Sequence, residues 1–216
     1  MMEMLLWRCP LCATNDGLRH QRRLFGKELV RCRTCRAVWQ VSRVVGKDYQ
    51  LRVIEGDAAS LGLDLPLAEW YDRMKASLSL SPLQDAPMTL LEAESEYLHG
   101  SRVRLFAPTN DPTCFGRDAV ARQYEDEVPP RAVGWGGLTL TSERLRWQSA
   151  SVSCDFWLRR LRSVFAIYTI LLLAYEDRTY QLRFPSDSPL KWLTYIAHAG
   201  RRVKDVYGHT ITTSNF

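Results

Sequence analysis

Apolar and polar positions alternate with a period of two in two blocks of the chain, and a short block of helical period lies between them. Residues 29–30, 37–45 and 49–54 alternate or carry β-branched and aromatic side chains, which predicts strands, with Gly46-Lys47-Asp48 as the turn between the last two. Residues 56–63 are small and polar enough for a linker, and Asp64 ahead of Leu65-Pro66 is a helix-start signal. Leu67, Trp70, Tyr71, Met74 and Leu78 then recur at helical spacing opposite Glu69, Arg73 and Lys75. They predict an amphipathic helix that docks on a neighbouring domain and ends in the proline-bearing stretch 79–87.

The period returns to two after residue 89. Residues 90–98 and 102–106 read as strands around a His99-Gly100-Ser101 turn. The stretch 107–131, with Pro108, Pro112, Pro129 and Pro130 and a helical turn at 118–124, reads as a long insertion, a kind of segment that is often functional. Strands follow at 135–141, 144–148, 156–168, 170–175 and 179–184, with Glu176-Asp177-Arg178 as the clearest hairpin turn. Asp187 or Ser188 before Pro189 opens a last helix with Leu190, Leu193, Ile196, Ala197, Val203 and Val206 on its apolar face. Gly200 is its weak point, and the tail after Tyr207 is expected to fray.

The length of 216 residues suggests one or two domains, and composition makes the chain globular, since 46% of its residues are hydrophobic and 25% charged, so a second folded domain is expected after the first strand block. The apolar stretch 163–175 is too short to span a bilayer as a helix and is bounded by Arg162 and Glu176, so it reads as two buried strands. The opening residues 1–7 lack a basic leader, and no transmembrane segment is seen, so a cytoplasmic location is expected.

Chemistry enters with the cysteines. Cys9-Pro10-Leu11-Cys12 and Cys32-Arg33-Thr34-Cys35 form two pairs whose two-residue gaps let both sulfurs of a pair turn onto one ion, and their separation suits a four-cysteine site. Cys9, Cys12, Cys32 and Cys35 are therefore the expected ligands of a structural Zn²⁺, with redox or disulfide pairing as the alternative. A closed four-thiolate site leaves no coordination position for water, so the metal is expected to be structural. Residues 1–57 resemble a zinc ribbon, in which each cysteine pair caps a hairpin. Cys114 and Cys154 are left over, and are read as a free loop thiol and a small packing residue.

The net charge of +5 is unevenly placed. Arg19, Arg22, Arg23, Lys27, Arg31, Arg33 and Arg36 crowd the ribbon against Asp16 and Glu28, a face that suits nucleic-acid phosphates or an acidic protein, or that simply offsets the charge of the thiolates.

Gly136-Gly137-Leu138-Thr139-Leu140-Thr141-Ser142-Glu143-Arg144-Leu145 is similar to the strand-turn-strand "G-x-L-x-L-T-x-x-R-L" of GRAM-like members of the pleckstrin-homology (PH) superfold. Pro189-Leu190-Lys191-Trp192 falls where that family's closing helix begins. The resemblance covers residues 88–207. It implies an α+β, mainly β chain: a small four-cysteine zinc ribbon, a linker with a helix (58–87), a PH-like antiparallel barrel or sandwich closed by a C-terminal helix (88–207), and a tail (208–216). A zinc module beside a PH-like core is also similar to the GLUE domain of an endosomal sorting complex, although here the ribbon precedes the core. The resemblance further implies an anionic-lipid site near the first two strands, where Arg102 and Arg104 match but Glu92, Glu94 and Glu96 stand where the family's lysine is expected.

No catalytic constellation is visible. His20, His99, His198 and His209 sit in no recognisable motif, although His20 is the one substitute for a cysteine ligand. Glu92, Glu94 and Glu96 alternate and read as a solvated strand face rather than a cation site, and Gly134-Trp135-Gly136-Gly137 reads as a turn entering a strand, not a P-loop. The first expectation is therefore a non-enzymatic adaptor binding a protein, with anionic lipid as a further ligand. The alternative is a nucleic-acid-binding or transcription-associated ribbon protein, and an enzyme ranks last. Partner contacts are expected at Arg22, Arg23, Arg31, Arg33, Arg102 and Arg104.

Overall fold

The computed structural model describes residues 5–22, 27–43, 48–83, 91, 94–115 and 130–215, arranged in two compact units, 1–79 and 80–216. The Gly46-Lys47 turn, the helical turn at 118–124, Arg23 and Glu92 lie outside the described residues. The protein is mainly β with a C-terminal helix, and none of its described helices is long and apolar enough to cross a membrane.

The first unit is a five-stranded antiparallel meander, β1 (Leu18–Gln21), β2 (Glu28–Cys32), β3 (Val38–Arg43), β4 (Tyr49–Glu55) and β5 (Asp64–Pro66), followed by α1 (Leu67–Ala76). The strands at 29–30 and 49–54 are recovered within β2 and β4, and that at 37–45 over Val38–Arg43 as β3, its last two residues lying outside the described ones. Residues 58–79 differ from the linker expected. Asp64 does not cap a helix, because Asp64–Pro66 pairs with Gln50–Arg52 and Pro66 itself precedes α1. The helix packs within its own unit: Trp70 Nε1 donates to the Leu51 carbonyl at 2.9 Å, and the Trp70 ring meets Trp39 edge-on at 5.9 Å. A sheet this small buries little by itself, so the apolar face of α1 supplies much of its core.

The second unit is one eight-stranded sheet in the order β13-β10-β11-β12-β6-β7-β8-β9, whose end strands do not pair with each other. The strands are β6 (Glu96–Ala107), β7 (Arg131–Thr141), β8 (Arg144–Gln148), β9 (Ser153–Trp157), β10 (Leu161–Ile167), β11 (Ile170–Tyr175), β12 (Arg178–Arg183) and β13 (Thr212–Asn215). A short helix, α2 (Pro112–Phe115), follows β6. The last helix, α3 (Pro189–Tyr207), starts as the sequence predicts, with Ser188 accepting from the Lys191 N–H and Pro189 in the first turn.

Four expectations change here, each for a steric or packing reason. His99-Gly100-Ser101 is not a turn but the interior of β6, and Gly100 is needed because an added Cβ would come within 2.9 Å of Trp192 Cζ2. Likewise Gly134 to Gly137 lie inside β7, where a Cβ on Gly136 would collide with the Gln148 carbonyl oxygen. The expected strand 156–168 is two strands, broken by a 3₁₀ turn at Leu158–Arg160. The tail is ordered: Ile211 is buried against Gly200, and Thr212–Asn215 pairs in parallel with β10. Gly200 thus makes room for Ile211 rather than weakening α3.

Candidate functional site

The two cysteine pairs adopt the same local structure. In the first, the Cys9 N–H donates to the Thr14 carbonyl at 2.9 Å; in the second, the Cys32 N–H donates to Ala37 at 2.9 Å, the same five-residue step. The residue after each second cysteine is left-handed, Ala13 at φ 59° and Arg36 at φ 62°. The loops are joined where the Arg33 N–H donates to the Gly17 carbonyl at 2.9 Å.

This brings Cys9, Cys12, Cys32 and Cys35 together, with all four sulfurs within 4.8 Å of one another. Cys9 Sγ lies 3.8 Å from Cys35 Sγ, and Cys12 Sγ lies 3.7 Å from Cys32 Sγ. Sulfurs about 2.3 Å from one ion at tetrahedral corners stand about 3.8 Å apart, so the donor set fits a four-coordinate metal ion. These separations are far longer than the about 2.05 Å of a disulfide, and all four thiols are free. Burial pushes the Cys9 and Cys35 thiols up. Burial also acts on Cys12, but hydrogen bonds from Thr14 and the neighbouring cysteines outweigh it and pull that thiol down to about 6. Four thiolates this close need a cation to hold them together, which a divalent ion supplies. His20 is not part of the cluster; its ring pairs with Glu28 across β1 and β2.

The arginines divide between the units. Arg22, Arg31 and Arg33 are exposed on the first, with Arg22 Nε 3.6 Å from Glu28. Arg102 and Arg104 lie on β6 of the second and stack on Trp135 at 5.1 and 5.7 Å.

Glu94 and Glu96 do not form a solvated face. Both are buried: Glu96 pairs with Thr141 of β7, and Glu94 is held by Thr141 and Arg144. Both Glu94 oxygens accept from Arg144, at 3.0 Å each, and Oε1 also accepts from Thr141 at 2.6 Å. Burial pushes the Glu94 carboxyl up, but the Leu91 N–H, Thr141 and Arg144 outweigh it and leave it below the ordinary range. Arg144 reaches Asp155 at 2.9 Å, so Thr141 and Arg144 of the strand-turn-strand motif anchor a buried ionic network. Glu96 is different: both oxygens lack a hydrogen-bond partner, His99 Nδ1 lies 3.9 Å from Oε1, and burial pushes its carboxyl up.

Cys114 and Cys154 are both buried and face each other, instead of serving as unrelated loop and packing residues. The contact forms across α2 and β9, two elements far apart in sequence, and spacing alone gave no signal of it.

Comparison of the chain with protein-family models, curated proteins and solved structures returns no match. Function is therefore argued from these geometries.

Proposed function

We propose that this chain is a non-enzymatic adaptor in which a structural zinc ribbon is joined to a PH-like module that binds a protein partner. The observation that carries the reading is the strand order of the second unit. Four antiparallel strands, β6 to β9, are followed by three, β10 to β12, with β12 returning to pair with β6 and a long helix after the last of them. That succession resembles the PH superfold, and the helix buries Trp192, Ile196 and Val203 as its closing element. Zinc is the proposed occupant of the four-cysteine site, because a closed tetrahedral thiolate set suits it and leaves no coordination position for catalysis. The thiol-rich ribbon fits a reducing, cytoplasmic setting.

The test is affinity capture with the full chain, comparing wild type with Arg22→Glu/Arg23→Glu and with Arg102→Glu/Arg104→Glu. Loss of a defined protein partner with the second pair alone supports the PH-like module as the binding unit. Loss with the first pair alone, together with salt-sensitive retention of nucleic acid, overturns it in favour of a nucleic-acid-binding ribbon. That second reading rests on the exposed Arg19, Arg31, Arg33 and Arg36.

A further inference from the structure

The outer faces of β6, β7 and β12 carry an alternating stack of guanidinium groups and aromatic rings. Arg183 lies over Phe106 at 5.2 Å, and Arg104 lies over the same ring at 5.2 Å. Arg104 also lies over Trp135 at 5.7 Å, and Arg102 lies over that ring at 5.1 Å. Three cations are thus joined through two shared rings. Strand register builds the stack: Arg104 sits opposite Trp135 on one side and opposite Arg183 on the other. The period of two places Arg102, Arg104 and Phe106 on the outer face, while Val103, Leu105 and Ala107 are buried beneath.

Among the described residues the stack has no counter-charge of its own. Among the described residues, the ion pairs of this unit use Arg144, Arg146, Arg160, Arg178, Lys191 and Arg202, and none involves Arg102, Arg104 or Arg183. Arg104 Nε is buried without a hydrogen-bond partner. Aromatic faces offset part of the repulsion between the cations and hold each guanidinium plane, leaving its N–H edges set for two-point contact with carboxylates.

We infer that this face docks an extended acidic segment of a protein partner, with carboxylates at alternate positions received by Arg102 and Arg104, and with Arg183, directly across from Arg104 on β12, adding a second cation at that position. Alternate residues of an extended peptide recur at about 7 Å, the repeat at which Arg102 and Arg104 follow each other on their own strand. Single-stranded nucleic acid fits less well, because it needs ring faces for its bases and guanidinium groups already stack on both rings. A membrane surface also fits less well, since among the described residues Trp135 is the one large apolar side chain exposed on these three strands. The inference deepens the adaptor reading and rests on it.

The experiment measures fluorescence anisotropy of a labelled peptide of alternating Glu and Ser with the full, metal-loaded chain. Saturable binding is expected, weakened at least about tenfold by Arg102→Gln/Arg104→Gln and unchanged by the ribbon pair Arg31→Gln/Arg33→Gln. Arg102→Lys/Arg104→Lys keeps the charge without the fork and should fall between, which provides a folded comparison if the glutamine pair melts early. Absence of binding by wild type, an equal loss with the ribbon pair, or tighter binding of oligo-dT or phosphatidylserine vesicles overturns the proposal. If Arg102→Gln/Arg104→Gln captures the protein partner as well as wild type does, this face is lost but the adaptor reading is kept. A wild-type chain that captures no protein loses both.

Discussion

Cys114 Sγ lies 3.2 Å from Cys154 Sγ, although the two residues are 40 positions apart. Asp111 Oδ2 sits 3.5 Å from the Cys114 sulfur and accepts a 2.6 Å hydrogen bond from the Tyr180 hydroxyl. Hydrogen bonding to Cys154, and then burial, push the Cys114 thiol up, so it stays protonated at neutral pH and reacts slowly. Two-electron oxidation by one hydrogen peroxide should nevertheless join these sulfurs, the O–O bond breaking and the two oxygens leaving as two waters that take up both thiol protons. Loop closure would then stabilise the second unit by about 4 kcal/mol. Non-reducing peptide mapping should show the Cys114–Cys154 link, and Cys154→Ser should remove it; oxidation that stops at a sulfenic acid in the wild type would contradict the geometry.

One zinc per chain is expected on metal analysis of the purified protein. Cys9→Ser or Cys32→Ser should abolish it and unfold the first unit, because so small a sheet depends on its metal, while the second unit keeps its own transition. Full zinc content after both replacements would remove the metal centre from the account.

Glu96 should make stability depend on pH in a definite direction. Burial raises its folded pKa above the unfolded carboxyl value, so the native state holds its proton to higher pH than the unfolded chain does. Stability from this group is therefore present below about pH 4 and lost as pH rises through the folded pKa. Glu96→Gln is expected to raise the urea midpoint at pH 7 and to match wild type near pH 3.5. An equal shift at both values would sink the assignment.

Glu94 should act in the opposite sense. Its lowered folded pKa contributes stability above the unfolded value that disappears as pH falls through the folded one. Arg144→Met alone leaves a buried carboxylate without its partner and should cost about 3–5 kcal/mol, whereas Glu94→Leu/Arg144→Met should recover much of that loss. A double-mutant cycle by urea unfolding decides; additive losses would mean the two groups do not interact.

Gly136→Ala should be among the most damaging single changes in the second unit. Its new Cβ would run into a backbone carbonyl of β8, a clash that no side-chain rotation relieves. The thermal midpoint should fall by several degrees while that of the first unit is unmoved. An unchanged transition would mean that β7 and β8 are farther apart than described.

The metal site was legible in the sequence because its chemistry is local: two-residue gaps fix the sulfurs of each pair, and only the meeting of the two pairs required the fold. The strands β2 to β4, β8, β11 and β12 and the N-cap of α3 were legible for a similar reason, since alternation, turn residues and a Ser-Pro start act within a few positions. Glycine misled. Gly100, Gly136 and Gly200 look like breaks in sequence, yet each makes room for a neighbour, Trp192, Gln148 or Ile211, supplied from elsewhere in the chain. Burial decided the rest. Only strand pairing and packing set Glu94 against Arg144, Cys114 against Cys154 and Arg183 beside Arg104, because such contacts join segments distant in sequence, and for the strand residues among them a one-residue slip in register would turn the side chain to the opposite face.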